Sequence, residues 1–452
     1  MNWLSKIWRG KLADGAVWET EFSPEMFSGA TISSEPGIID AVSPRFSGTA
    51  SDVAPQRRNN SIDDIRLRLR SAFTPSQPVS NLRMFAGRNE VLRTLIRAIE
   101  DQQLHVVLYG DRGIGKTSLL HVLAQVARQA RYIVRYTSCG EVSDFSETFR
   151  AIAADIPLLF HADYDPTSDA IERGGSLADL LPEGPLSVNQ VSDTFGKISG
   201  TRVLVILDEF DRAQSAQFRR LVAEMIKNLS DRSFRVQIVI AGVASNLTEL
   251  IAHIPSVRRN IVGLPVPNMS VEEVRELLEI GESASGLTFD AEALTAVIAI
   301  ASGLPYLASL IGQHAGLSAT ERRASLVQLQ DVETAIKRAT EEVRHRISPK
   351  TIYLIDSAIA SGHGDVLVRL ARTAITRSGM IDPANISGSV PHADDAASAN
   401  AILPLFEPID GDPIGYWRFA EDGAALFIWI SQGDRILSAS RSPLLAKVRA
   451  ES

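Results

Sequence analysis

Five short apolar runs recur along this 452-residue chain, separated by segments of helical periodicity. They are LHVVLYG (104–110), YIVRYTSC (132–139), TRVLVILDEFD (201–211), FRVQIVIAGV (234–243) and NIVGLPV (260–266). Unbroken Val/Ile/Leu runs between helices predict a parallel sheet covered on both faces. Ahead of the first run, Val91, Leu92, Leu95, Ile96 and Ile99 fall at helical spacing and predict one amphipathic helix. The stretch DYDPTSDAIERGGSLADLLPEGP (163–185), rich in Pro, Gly and acidic residues, reads as a surface insertion between the second and third strands. From Ser270 to about Arg346 the pattern is helical throughout.

The two ends read differently. Residues 15–81 are rich in Ser, Pro, Gly and Ala and keep no period, so they predict a flexible linker, with DDIRLRLRSAF (63–73) able to form one helix inside it. At residues 1–12, Trp3, Leu4, Ile7 and Trp8 share one helical face beside Lys6, Arg9 and Lys11. Such a helix either docks on a protein surface or touches lipid at an interface, and alone it is too short to hold a membrane firmly. After Pro349 come two helical patterns, a third at ADDAASANAIL (393–403), the hairpin-like LFEPIDGDPIGYWRF (405–419) and a last helix. Three helices and a hairpin resemble the winged-helix plan. The third helix, which would meet DNA in such a plan, carries Asp394 and Asp395 and no Lys or Arg. Carboxylates facing phosphates disfavour duplex binding, so this part is expected to bind protein or pack against the rest. Tyr416, Trp417, Phe419, Phe427 and Trp429 are read as core.

Composition narrows the classes. With 45% hydrophobic and 22% charged residues the chain is ordinary globular material for two or three domains. A net charge of -8 argues against general coating of nucleic acid. Cys139 is the single cysteine, which excludes an intrachain disulfide and a cysteine-rich zinc site and fits a reducing, cytoplasmic compartment.

Candidate chemistry sits at the first strand's end. Residues 110–117 read GDRGIGKT, an instance of G-x-x-x-x-G-K-[ST] between a strand and a helix. Gly110, Gly113 and Gly115 let main-chain N–H groups converge on a phosphate, with Asp111, Arg112 and Ile114 between them. Lys116 is placed to reach β- and γ-phosphates, Thr117 to hold Mg²⁺, and Ser118 continues the helix, whose N-terminus favours anions. A Mg²⁺-nucleotide also needs a carboxylate at the tip of a neighbouring strand, and RVLVILDEFD supplies Asp208 for the metal and Glu209 to polarise water.

These residues resemble the AAA+ and STAND ATPases, in the branch that includes origin-recognition ATPases and bacterial signal-transduction ATPases. The resemblance spans roughly residues 84–312. MFAGR (84–88) is similar to the segment that shapes the adenine pocket, which implies Phe85 and Arg88 there. GDRGIGKT and VLVILDEFD are similar to the Walker A and B motifs. IVIAGVASN (238–246) resembles the strand ending in a sensor residue, Asn246 or Ser245, and HIPSVRRN (253–260) the segment with an arginine finger, Arg258 or Arg259. ASGLPYLASLIG (301–312) resembles the lid segment containing Gly303 and Pro305. GLPY offers Pro305 where many AAA+ proteins place a γ-phosphate-sensing arginine, as in STAND proteins, which implies a slow nucleotide switch rather than a continuously turning hexameric motor.

The resulting expectation is an α/β protein: a parallel five-stranded P-loop (ASCE/AAA+) sheet, a helical lid and a C-terminal winged-helix-like domain. Its divisions are residues 1–14 (amphipathic helix), 15–81 (linker), 82–268 (ATPase core), 269–346 (lid), 347–435 (winged-helix-like) and 436–452 (tail helix). The expected ligands are ATP/ADP and Mg²⁺, adenine resting on the resemblance alone. The expected function is a hydrolysing switch acting on protein partners, further copies of the chain included. A DNA-binding ATPase of origin-recognition type and a membrane-surface scaffold touching lipid through residues 1–12 are the alternatives.

Overall fold

The computed structural model describes residues 62–232, 235–244, 247, 250, 259–377, 379–382, 402–409, 415–433 and 436–437. All five expected strands are present: β1 (His105–Gly110), β2 (Ile133–Ser138), β3 (Val203–Asp208), β4 (Val236–Val243) and β5 (Ile261–Pro265). They form one parallel sheet in the order β2-β3-β4-β1-β5. Side chains alternate between two cores, as the two-residue repeat of a strand requires. Val106, Leu108, Leu204, Ile206, Val239 and Ala241 enter one, while Val107, Val205, Leu207, Ile238 and Ile240 enter the other. All eleven are fully buried, which is why the runs look continuously apolar instead of alternating.

The order corrects one expectation. The strand carrying Asp208 does not neighbour the strand feeding the glycine loop, because β4 pairs with both and lies between them. Val239, for example, is opposite Val106 on one side and Ile206 on the other.

Helices α1 (Ile62–Ala72), α2 (Asn89–Glu100), α3 (Lys116–Gln129), α4 (Phe145–Ala154), α5 (Asp169–Glu172), α6 (Val188–Gly196) and α7 (Ala216–Arg232) accompany the sheet in sequence. The expected surface insertion is instead part of the second core. Leu177 is fully buried and Leu181 and Leu186 nearly so. The Leu158 and Leu177 amides donate to the Gly175 and Ile156 carbonyls, which stitches the segment to the chain before it. Polar composition hid a few leucines spaced to reach inward.

The flexible-linker expectation also fails for its described part. Four helices follow the sheet: α8 (Val271–Ser285), α9 (Ala291–Ala301), α10 (Pro305–Glu321) and α11 (Leu329–Arg344); Leu69 of α1 and Phe73 just past its end are completely buried, packed against α8 and α10. Their ends are set locally. Ser270 and Glu273 form a reciprocal capping box at the start of α8, and Gly286, at φ 80°, ends it in a left-handed conformation. Pro305 opens α10, where a missing N–H costs nothing.

The C-terminal part comprises α12 (Pro349–Ala358), α13 (Gly364–Thr376) and α14 (Ala424–Ser431), with a small antiparallel pair at Phe406–Pro408 and Trp417–Phe419. That pair is the expected hairpin. The expected third helix lies almost wholly outside the described residues. Phe419, Phe427 and Trp429 are buried, and the Trp429 indole N–H donates to the Ile300 carbonyl at 2.9 Å, fastening α14 to α9. Tyr416 and Trp417 are half-buried.

Candidate functional site

The glycine loop turns because three glycines take backbone angles that side chains resist. Gly110, Gly113 and Gly115 have φ of 149°, 76° and 93°. A Cβ on Gly110 would lie 3.0 Å from the Val266 carbonyl, and one on Gly113 3.3 Å from the Tyr306 Cβ. The loop thus fits under α10, whose first residue, Pro305, faces Gly115. Helix α3 starts at Lys116, so its free N–H groups open onto the loop.

Lys116 is buried, and its ammonium donates to the Gly110 and Asp111 carbonyls, both at 2.8 Å. Burial pushes its pKa down to about 8, with Asp211, Asp111 and Asp208 opposing the fall. Asp111 goes the other way. Burial raises its carboxyl to about 7, against Lys116 and with help from Asp422. Neighbouring Arg112 is exposed and pairs with Asp422 at 3.3 Å. Ile114 is buried in the core, so only its main chain faces the loop. The Ser118 hydroxyl accepts the Val79 amide at 3.0 Å.

At the tip of β3, Asp208 is buried and both its oxygens are engaged: Oδ1 accepts the Glu209 amide at 2.8 Å and Oδ2 accepts the Tyr136 hydroxyl. Glu209 sits in the left-handed region at φ 53°, and its Oε2 accepts from Ser138 at 2.8 Å and Arg212 at 2.9 Å. Tyr136, Ser138 and Arg212 were not singled out from sequence. Tyr136 and Ser138 are two apart on β2, hence on one face, and β2 pairs with β3 with Ser138 opposite Asp208. The two-residue spacing was visible in YIVRYTSC; the partner strand was not.

Phe85 is half-buried. Arg88, at φ 56° and 4% exposed, follows a tight turn held by the next helical region. The Gly87 and Arg88 amides donate to Glu276 and Glu273 of α8, and Arg88 Nη2 donates to the Pro267 carbonyl at 2.9 Å. Its Nε and Nη1 are buried with no hydrogen-bond partner among the described residues. Burial lowers its pKa to about 10, Glu273 opposing. A buried guanidinium with two idle donors suits an anionic or hydrogen-bonding ligand.

One cavity of about 1170 Å³ gathers these groups: Gly113 and residues 115–118, Asp208, Glu209, Phe85, Arg88 and Pro305 all line it. Thr117 and Asp208 therefore share it, a donor set suited to Mg²⁺, which takes few protein ligands and relies on phosphates and water. Residues 74–79 and the C-terminal Glu407, Arg418, Glu421 and Asp422 also line it, none of them foreseen. Asn246, Ser245 and Arg258 lie outside the described residues. Arg259 is exposed and absent from the cavity lining.

A glycine loop between a strand and a helix, facing an acid-tipped strand across an interposed one, defines a P-loop nucleotide-binding fold. Residues 84–240 match the AAA ATPase domain family, so the chain carries an AAA-type P-loop ATPase domain. No curated protein matches the sequence. Among solved structures it is similar to the RuvB Holliday junction branch migration motor of Thermotoga maritima, at 16% identity and TM-score 0.41, covering 76% of this chain and 95% of that one. It is similar to the Aeropyrum pernix ORC1 protein, solved in complex with DNA, at 16% identity and TM-score 0.42, over 85% and 98% of the two chains. Cdc6p of Pyrobaculum aerophilum gives 15% identity and TM-score 0.41, over 82% and 98%.

Proposed function

We propose that the protein binds and hydrolyses ATP and acts as a slow nucleotide-dependent switch on protein partners. The observation that carries this reading is the meeting of Lys116, Thr117, Asp208 and Glu209 in one cavity, from strands that are not neighbours. The loop amides and Lys116 would grip the phosphates, and Arg88 would offer its idle donors to the nucleotide. Thr117 and Asp208 would hold Mg²⁺, which neutralises phosphate charge when bound. Glu209 would polarise the attacking water once it leaves Ser138 and Arg212. Its present pairing supports a site held in check rather than one turning over freely.

Helix α10, PYLASLIGQHAGLSATE, contains no Lys or Arg. That supports a lid without the usual γ-phosphate-sensing arginine, and so a switch. Asn246 as sensor, Arg258 or Arg259 as a finger reaching a second copy, and the domain divisions at 82–268, 269–346 and 347–435 belong to the same proposal, as does a winged-helix-like C-terminal part. We place the partner among proteins rather than DNA, because the acidic residues Asp394 and Asp395 oppose phosphate. Among the described residues no helix is long and apolar enough to cross a membrane; any lipid contact would be peripheral, through residues 1–12.

Two variants test the reading by equilibrium ATP titration and phosphate release. Lys116→Ala should abolish ATP binding, and an unchanged affinity refutes the site. Glu209→Gln should keep ATP binding while turnover falls about 10²- to 10⁴-fold, the usual worth of a general base.

A further inference from the structure

Strand β4 stands between the two halves of the site, and it outlasts β3. Their last pairing is Leu207 opposite Ile240, yet β4 runs on to Val243, which lies opposite Gly110, the first residue of the glycine loop. A strand that outruns its neighbour leaves main-chain groups on that side to be paired by something else. Asp211, the last residue of VLVILDEFD, takes that place: its Oδ1 accepts the Val243 amide at 2.8 Å. A side chain thus continues the sheet where β3 has turned away.

The approach is close enough to need glycine next door. A Cβ on Gly242 would lie 2.9 Å from Asp211 Oδ1 and 3.1 Å from the Asp211 amide nitrogen. The Gly242 backbone is not left-handed, so what this glycine supplies is room. The turn that carries Asp211 is itself held firmly. It leaves β3 through the left-handed Glu209, and Phe210 and Ala213 are fully buried in the second core. From α7, Arg219 donates to the Asp211 and Ala213 carbonyls, both at 2.7 Å. Residues 209–213 are therefore a short stiff piece, and Asp211 fastens it to the tip of β4. Asp211, Arg219, Gly242 and Val243 line the cavity together with Glu209.

We propose, on the hydrolytic reading above, that Asp211 is a positioning residue: by holding the tip of β4 it sets Glu209 at a fixed offset from the glycine loop. The chain of contacts is short. Glu209 and Asp211 share a turn, Asp211 holds Val243, and Val243 is in register with Gly110. Asp211 touches no nucleotide and acts through Glu209.

The test measures ATP turnover at saturation and ATP affinity side by side on the full chain. Asp211→Ala deletes the acceptor and should lower kcat about 10²-fold, the cost of a misplacement of about 1 Å. Its ATP dissociation constant should stay unchanged, because the glycine loop and Lys116 are untouched. Gly242→Ala presses a methyl group on the carboxylate and should lower kcat in the same sense. Asp211→Asn keeps an oxygen for the Val243 amide and should regain most of the turnover. In a Glu209→Gln background Asp211→Ala should lose nothing further, since no base is left to position. An Asn variant as slow as the Ala variant would mean that charge matters and the tie does not. That result overturns the proposal, as would undiminished kcat in Asp211→Ala, a full further loss in the double variant, or ATP binding weakened as much as turnover. Hydrogen exchange gives a reading that needs no activity. Val243 is 38% exposed, so slow exchange of its amide reports the bond to Asp211. It should be slow in the unaltered chain and in Asp211→Asn, and fast in Asp211→Ala; fast exchange in the unaltered chain removes the tie. Turnover that survives Glu209→Gln would instead sink the hydrolytic reading, and the positioning role with it, while leaving that exchange pattern intact.

Discussion

Asp208 accepts one hydrogen bond at each carboxylate oxygen, from the Glu209 amide and from Tyr136. A carboxylate so held cannot rotate to suit whatever approaches it, so its free lone pairs point in set directions. Tyr136 in turn stacks on His121 of α3, with ring centroids 4.7 Å apart, and the phenol's pKa is raised, by burial first and then by its bond to Asp208. Replacing it with Phe keeps the ring and removes the hydroxyl. The loss of one bond to a charged group costs about 1.5–3 kcal/mol. Part of that should appear as a higher Mg²⁺ concentration needed for tight nucleotide binding, read by titrating Mg²⁺ at fixed ATP. An unchanged Mg²⁺ requirement would show that Asp208 is oriented by its backbone alone. At this scale the glycine loop and the Asp208–Glu209 pair were legible in the chain, because each is a run of adjacent residues whose chemistry depends on local spacing. Tyr136 and Ser138 were not, because their role exists only once β2 lies against β3.

Elements sort by how many faces they bury. The central strands β1, β3 and β4 were legible since both faces are covered, and a buried strand leaves an uninterrupted apolar run, while the edge strands β2 and β5 are mostly half-buried. Helix α1 was legible as a pattern, but its seat was not, since nothing in DDIRLRLRSAF names the glycines at 281, 312 and 316. Residues 163–185 misled for the opposite reason. Their apolar content is a handful of leucines among turn-formers, which matches a loop until a core is there to receive them. Leu177 tests the difference. As a fully buried side chain, its replacement by Ala should cost about 2–5 kcal/mol, measured by denaturant unfolding; a residue on a true surface insertion would change stability by less than about 0.5 kcal/mol.

Across the whole described molecule, the C-terminal part reaches back to the phosphate loop. Arg112 pairs with Asp422, the Asn268 side chain donates to the Ile375 carbonyl at 2.8 Å, and Gly379 lies against the Asp111 carboxyl. This contact gives the molecule a pH signature. Asp111 has a folded pKa near 7, above the ordinary value of 3.8 that it regains on unfolding. Between those values the folded state holds a proton the unfolded state has released, so stability falls as pH rises from about 4 to 7 and levels off above. Lys116, lowered to about 8, acts in the opposite sense between pH 8 and 10.5. Asp111→Asn removes the first effect, and its melting temperature should exceed that of the unaltered chain by more at pH 8 than at pH 5. Equal differences at the two pH values would mean that Asp111 is ionised in both states.

What the chain determines by itself is local. Side-chain period sets strand and helix, and glycine at three places in eight residues permits a loop that can wrap a phosphate. What only the folded molecule decides is adjacency between distant segments: that β4 separates the two halves of the site, that Tyr136 meets Asp208 across 72 positions, and that α1 rests on glycines more than 200 residues away. Periodicity says which face of an element is apolar, and many partners would satisfy that face equally. The choice among them is made by packing, when all the elements must bury their faces at once without voids or clashes.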